Sequence, residues 1–523
     1  MQSAGHEQLG GKRAFLAMLG ICLVVTLTAL DQTVVGTALP KIVSDLQGFS
    51  YYSWVGSVYL LTSAIFLPLT GKLGDLYGRK PFVLGAIASF TLASVLCGVA
   101  QNMPELVIAR ALQGIGGGMV MGTTFASITD LFPDTARRIT WMAMVTTTFG
   151  IANAVGPMLG GVMTEHWGWR SVFFVNLPVG LAAAWVVVRF LPSFPGHRQG
   201  NERIDWLDAL LMATALSVLM LVLEDGSTLG YGSLAFWSLL TAGAAAGGWF
   251  GWRLQHVSAP IFPPRVLRLA AAQRLIVLAF LCGSVLFMLV FYVPLLLQGG
   301  FGYSPRSAGL LLTPLALGMP VGSLINGRLL SRIRWGHKLL SCGMLCLVLG
   351  CYLATRLTAE TPTSQMLIVL GLCGLSFGFQ FPNLNLQMQS AVDRSDVGAG
   401  AALVNTTRTF GSMLAASLTA LLVNASYATA VAKALPQKGT EAARALLANP
   451  QVLVRESDQA AFATALKPMG IDPLPLLDIA REGLMSGVHH ALLIGMALAS
   501  IGAIIGWKLP TLPLENRELC SLE

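Results

Sequence analysis

From Tyr51 to Val99 the chain reads YYSWVGSVYLLTSAIFLPLT GKLGDLYGRK PFVLGAIASFTLASVLCGV. Two apolar runs flank a short loop, Gly71–Lys80, that concentrates Lys72, Asp75, Arg79 and Lys80. Each run is about as long as the roughly 20 residues a helix needs to cross hydrocarbon. A charged loop between two such runs is the hairpin of a multi-span membrane protein, and the same alternation recurs along the whole chain. Fourteen spans are expected, starting near Ala14, Tyr51, Pro81, Pro104, Thr140, Ser171, Asp205, Leu234, Leu275, Ser307, Lys338, Gln365, Gly400 and Gly487. The one at Asp205 is the weakest, being short and flanked by acids.

Composition agrees. Of 523 residues, 54% are hydrophobic and 11% charged, against about a quarter charged in a soluble domain. Such a chain is excluded as a nucleic-acid binder, a secreted mini-protein or a disordered scaffold. The net charge of +8 is a matter of topology. With the N-terminus inside, basic residues crowd the inner segments (Lys12, Arg13, Lys72, Arg79, Lys80, Arg137, Arg138, Arg328, Lys338 among them), while the short outer loops hold only Lys41, Arg170, Arg306 and Arg356. This bias predicts that both termini are cytoplasmic. The first apolar run is read as a retained helix, not a cleaved signal. The cysteines form no CxxC pair and stand mostly in apolar runs, so neither disulfides nor a metal site are expected.

The loop Gly71-Lys72-Leu73 … Gly78-Arg79-Lys80 has a degenerate echo in Gly327-Arg328-Leu329 … Gly336-His337-Lys338. A duplicated architecture follows: a six-helix bundle over residues 1–195, an inserted helix pair with its cytoplasmic linker over 196–260, and a second six-helix bundle over 261–523. A long outer loop, about 424–486, separates helices 13 and 14. It could serve as an outer lid, as a docking surface for a partner such as a periplasmic adaptor, or simply be a solvated insertion.

Several motifs carry chemistry. No GxxxxGK[ST] phosphate loop occurs, so ATP-driven pumping is not indicated. Gly374-Leu375-Ser376-Phe377-Gly378 fits a hydrolase elbow only by spelling, since it lies inside an apolar helix; its glycines suit helix packing. Asp31 lies deep in helix 1, about 25 Å from the cytoplasmic end at 1.5 Å per residue. An acid at that depth marks a proton or ion path by default. Arg110 in helix 4 lies at matched depth, so the two side chains can interact. Gly114, Gly118 and Gly122 line one face of helix 4, and Ala152, Gly156 and Gly160 one face of helix 5 beside Pro157, which lets backbones approach closely. Helix 12 carries Gln380, Asn383, Asn385, Gln387 and Gln389 around Pro382, and helix 13 carries Asn405 and Arg408; these are the expected walls of a water-filled cavity, with helix–helix hydrogen bonding as the alternative. Glu224 and Asp225 close helix 7 and read as solvated loop acids.

These motifs together resemble a known family. Gly71 to Lys80 closely matches the loop signature of the major facilitator superfamily. Leu30-Asp31-Gln32-Thr33-Val34-Val35-Gly36-Thr37-Ala38-Leu39-Pro40 resembles the helix 1 motif of its fourteen-helix drug:proton antiporter branch. Arg110-Ala111-Leu112-Gln113-Gly114 resembles the helix 4 motif, and Gly150 to Gly161, with Gly156-Pro157 and Gly160-Gly161, the antiporter motif of helix 5. Trp169-Arg170, Phe173-Phe174, Asn176 and Pro178 resemble the stretch that follows it. The resemblance implies an all-α membrane protein of the major facilitator fold and an alternating-access multidrug exporter in a bacterial inner membrane. Inward proton flow would drive it, with no cofactor and no enzymatic step. Asp31 would carry the proton with Arg110 as partner; Gly71, Asp75, Gly78, Arg79 and Lys80 would form the inner gate, with Asp75 facing the cytoplasmic start of helix 13. Gly36 departs from the family's usual asparagine. The second half lacks extra intramembrane acids, so lipophilic cations of single charge, or neutral compounds, are expected over dications. The chain would act as a monomer on small substrates. An exporter of one endogenous metabolite, or a subunit docking an adaptor, is the alternative.

Overall fold

The computed structural model describes residues 11–132, 135–193, 205–230, 232–257, 260–332, 336–392, 397–434, 441–453, 456–467 and 471–510. Every regular element among them is helical. The long helices are α1 (Gly11–Leu46), α2 (Tyr52–Tyr77), α3 (Arg79–Val99), α4 (Met103–Leu131), α5 (Thr135–His166), α6 (Asn176–Phe190), α7 (Trp206–Leu229), α8 (Leu234–His256), α9 (Ala270–Leu295), α10 (Pro305–Arg332), α11 (Gly336–Ala354), α12 (Thr363–Ala391), α13 (Val397–Ala434) and α14 (Pro473–Trp507).

Local sequence sets the boundaries. Gly78 separates α2 from α3 at φ +88°, a conformation that a side chain would strain. At the start of α4 the Asn102 Oδ1 accepts from the Glu105 backbone N–H at 2.9 Å, and the Glu105 carboxylate accepts from Gln101 N–H at 2.9 Å, with Pro104 in the first turn. Asp205, Ser233 and Asp472 cap α7, α8 and α14 in the same way.

Twelve helices among the described residues are long and apolar enough to cross a membrane. They include every span expected from the sequence except α5 and α8, which are helices of 32 and 23 residues.

Helices α1–α6 pack mainly on one another, as do α9–α14, while α7 and α8 pair and α7 lies against α2 and α13. The two groups meet where α5 runs along α10 and α2 along α13. Call the end of the bundle where α1 and α9 begin and α14 finishes proximal, and the opposite end distal. Near the distal end Tyr52 Oη donates to Phe291 O at 2.7 Å, Gln298 Nε2 donates to Thr37 O at 2.9 Å, and Glu165 accepts from Ser304 Oγ and Arg306 N–H, both at 3.2 Å. All four bonds cross between the halves.

Glycine allows the tightest crossings. A Cβ on Gly118 or Gly122 would strike the α2 backbone at Ser63 or Leu67, and one on Gly160 would strike α1 at Val34. Gly150 and Gly161, in contrast, face α10 at Pro320 and Pro305. The helix 5 motif therefore serves two contacts, one inside its own half and one to the other half. Gly374 and Gly378 sit against the α10 backbone at Leu315 and Met319, and the Ser376 hydroxyl donates to Cys373 O at 2.6 Å, so this stretch packs helices.

The connection between helices 13 and 14 is shorter than the 424–486 expected. α13 continues to Ala434 and α14 begins at Pro473, with short helices Glu441–Leu447 and Glu456–Leu466 between. Helical hydrogen bonds persist past the apolar run, because Ala-rich sequence such as Ala425–Ala434 favours helix in any solvent. Residues 196–204 of the expected linker, and the side chain of Asp225, lie outside the described residues.

Candidate functional site

Asp31 stands on α1, facing α4 and α6. Arg110 and Gln113, three apart on α4, share a face and reach it together. Arg110 Nη1 donates to Asp31 Oδ2 at 2.5 Å and to Gln113 Oε1 at 2.6 Å, and Arg110 Nε donates to Val55 O at 3.2 Å. Gln113 Nε2 donates to Asp31 Oδ1 at 2.8 Å and to Ser94 Oγ at 2.7 Å. Asn176 Nδ2, from α6, is 3.3 Å from Asp31 Oδ1 and 3.2 Å from Ser94 Oγ. The Arg110 guanidinium also lies over the Tyr59 ring, 4.4 Å from its centroid.

This constellation is sealed: Asp31 is 1% exposed and Arg110 0%. Two charges removed from water are tolerable only when each is paired and its remaining hydrogen-bonding capacity met. Here three N–H donors converge on one carboxylate, and the guanidinium has two further oxygen acceptors and an aromatic face. The structure thus joins Asp31 and Arg110, which sequence depth alone placed at one level. It adds Gln113, Asn176, Ser94 and Tyr59, of which Gln113 had a readable signal, its i+3 spacing from Arg110.

Between the halves lies a cavity that opens in part to solvent. One half contributes Gln32, Tyr59 and Asn153, the other Phe381, Asn405 and Arg408. Tyr59 belongs to both features. One face of its neighbourhood is the cavity, and its ring covers Arg110, so it stands as the partition between cavity and ion pair.

Arg408 lines the cavity, whereas the helix 12 amides do not. Gln380, Asn383 and Gln387 are buried at 0%, 0% and 2% exposure. Asn383 Nδ2 donates to Asn326 Oδ1 on α10 at 2.9 Å, Gln380 packs at Gly343 of α11, and Asn385 Nδ2 turns back to Phe381 O at 3.1 Å. Helical spacing puts amides on one face, but here that face meets the neighbouring helices α10 and α11. Phe381, on the same helix, faces the cavity instead.

At the proximal end Arg79 bridges two carboxylates, Asp75 at 2.6 Å and Asp130 of α4 at 2.5 Å. Lys80 Nζ donates to Val188 O on α6 at 2.9 Å, and Lys72 Nζ to Pro260 O at 3.3 Å. Gly71 faces Gly122 O of α4. The Asp75 side chain is 59% exposed; residues 393–396, leading into α13, lie outside the described residues, and with them the expected meeting of Asp75 with that helix start. Asp130 was missed because it falls at the end of an apolar run, where an acid is unremarkable.

Glu224 is no solvated loop acid. Its carboxylate accepts from Ser53 and, at 2.9 Å, from Ser57 of α2, and from Ser417 of α13 at 2.6 Å. The inserted helix α7 is thereby tied to both halves at one point. Among the described residues no three His, Cys, Asp or Glu side chains come together as metal ligands.

Comparison with known proteins places this geometry. Residues 21–416 match the model of the Major Facilitator Superfamily. Multidrug resistance protein 3 of Bacillus subtilis is 30% identical over 77% of this chain and 78% of its own length. Multidrug transporter protein MdtP of the same organism is 29% identical over 96% of this chain and 94% of its own. The crystal structure of a bacterial homologue of the human lysosomal transporter Spinster, inward-facing and occupied, superposes with a TM-score of 0.68 at 16% identity, covering 96% of this chain and 98% of that one. A family match across most of the chain, relatives that are transporters and a shared all-helical fold together show that this multi-pass membrane protein belongs to the Major Facilitator Superfamily and is a transporter, not an enzyme.

Proposed function

We propose that the chain is a proton-coupled exporter of lipophilic compounds that works by alternating access, and that the buried Asp31–Arg110 pair is its proton site. That pair is the observation which carries the reading. A carboxylate enclosed by three donors and separated from the cavity by one aromatic ring can change charge without touching substrate. Protonation of Asp31 removes the attraction that holds Arg110, and Tyr59, packed on the guanidinium at 4.4 Å, transmits the rearrangement to the cavity wall. Proton and substrate then each bias the inward–outward equilibrium by their differential affinity for its two states.

The names of the relatives, a multidrug resistance protein, a multidrug transporter and the efflux pump dotC of Dothistroma septosporum, support export of several compounds over uptake of one. The contacts across the distal end support an inward-facing arrangement, with the proximal face in the cytoplasm, where Lys72, Arg79 and Lys80 lie. In this reading α5 and α8 also span, giving fourteen helices: a helix of 23 residues is about 35 Å long, enough for hydrocarbon. Residues 1–195 and 261–523 are the two rocking bundles, 196–260 is an insertion, and the membrane is a bacterial plasma membrane.

The test is uptake of a fluorescent lipophilic probe into everted membrane vesicles with an acidic interior. Uptake that collapses with the proton gradient, and is absent in Asp31→Asn, supports the reading. Uptake indifferent to the gradient refutes proton coupling.

A further inference from the structure

Among the described residues that line the cavity there is one charge, and it is positive. The wall consists of hydroxyls, amides and apolar groups, with Phe149, Phe287 and Phe381 as aromatic surfaces, and it contains no carboxylate. Asp31 is enclosed behind Tyr59 and its oxygens are taken by Arg110, Gln113 and Asn176. Glu224 is held by three serines between α2 and α13 and is not on the wall. Arg408 is different. Its guanidinium has no hydrogen-bond or ion-pair partner among the described residues; its neighbour is the Phe381 ring, 4.6 Å from centroid to Cζ. Its backbone is fixed: Gly283 lets α9 close on the Arg408 carbonyl and stem, and Ser412 Oγ ties the next turn to Gly283 O at 2.9 Å.

A permanent cation on the wall of a cavity within a membrane protein, without a counter-ion among the described residues, is costly. A lipophilic cation entering this cavity would raise that cost. An anion would relieve it, and the planar guanidinium fork suits a carboxylate or sulfonate in bidentate geometry. We propose that Arg408 is the recognition residue for an acidic group, and that the transporter's preferred substrates are aromatic, lipophilic anions: the acid on Arg408, the rings on Phe381 and the facing phenylalanines. The inference rests on the exporter reading for transport, but not for binding.

The experiment uses the full chain in lipid nanodiscs, with empty discs as blank. Equilibrium dialysis compares three probes: anilinonaphthalene sulfonate, the neutral phenylnaphthylamine that lacks only the sulfonate, and tetraphenylphosphonium. Wild type is expected to bind the sulfonate roughly 10- to 100-fold more tightly than the neutral analogue, the range of a charge-assisted hydrogen bond. Arg408→Gln should erase that difference while keeping neutral binding, which also shows that the variant is folded, and Arg408→Lys should retain part of it. Equal binding of sulfonate and neutral probe by wild type, preference for the phosphonium, or an equal loss of both naphthyl probes in Arg408→Gln with no rescue by lysine would each overturn the proposal. Sulfonate preference lost in Arg408→Gln, without gradient-driven uptake in vesicles, would leave Arg408's role standing and sink the exporter reading instead.

Discussion

The Asp31–Arg110 pair makes a quantitative prediction through its two single variants and their combination. Asp31→Asn leaves a guanidinium that cannot lose its proton, buried at 0% exposure, with Gln113 Oε1, Val55 O and the Tyr59 ring still in reach. Arg110→Gln leaves a carboxylate with two amide donors, from Gln113 and Asn176. Breaking a buried pair from one side costs about 3–5 kcal/mol; the residual partners here place each single variant at about 3 kcal/mol. The double variant buries no charge, so it should lie only about 1–2 kcal/mol below wild type, and the cycle should show a coupling of about 4–5 kcal/mol, beyond the 0.5–3 kcal/mol typical of contacting residues. Acidification should recover part of the Arg110→Gln loss, since the orphaned carboxylate can take a proton, and none of the Asp31→Asn loss. Reversible unfolding in mixed micelles titrated with SDS gives the four free energies. Additive singles, or singles within about 0.5 kcal/mol of wild type, would refute the claim that these charges hold each other.

Other expectations follow from packing and bonding. Gly118→Leu should abolish folded protein, because its Cβ alone already meets the α2 backbone at Ser63; size-exclusion recovery after purification checks this. Asn383→Leu should cost about 1–3 kcal/mol by stranding the Asn326 amide, and Asn383→Leu with Asn326→Leu should recover most of it, measured by the same SDS titration. Ser417→Ala removes a bond by which α13 holds Glu224; cysteine labelling from the distal face should accelerate severalfold at positions between α2 and α13, and unchanged labelling would mean that Glu224 does not fasten that end.

The parts of this molecule that were legible in sequence are those where hydrocarbon makes a residue conspicuous. Asp31 and Arg110 stood out because charges are rare in apolar runs, and depth arithmetic brought them level. Ser94 did not, since a neutral polar side chain inside a span is common and its partners lie on other helices; Gln113 showed only through its spacing from Arg110, and Asn176 only as one member of a resembling stretch. The helix 12 amides show the limit of periodicity: Gln380, Asn383 and Gln387 do share a face, but spacing cannot tell a face that meets a cavity from one that meets α10. Glu224 was misread because only tertiary structure brings Ser53, Ser57 and Ser417 to it. Helix ends beyond the membrane, as in α13, escape a reading based on apolarity because helix propensity continues where hydropathy stops.

The central claim, that Asp31 exchanges a proton against substrate, is tested most directly by counting protons. Purified transporter in a weakly buffered solution is mixed with a saturating lipophilic probe that carries no titrating group, and the pH change is recorded. The account predicts proton release from wild type and none from Asp31→Asn. Equal release from both, or proton uptake on probe binding, would contradict it.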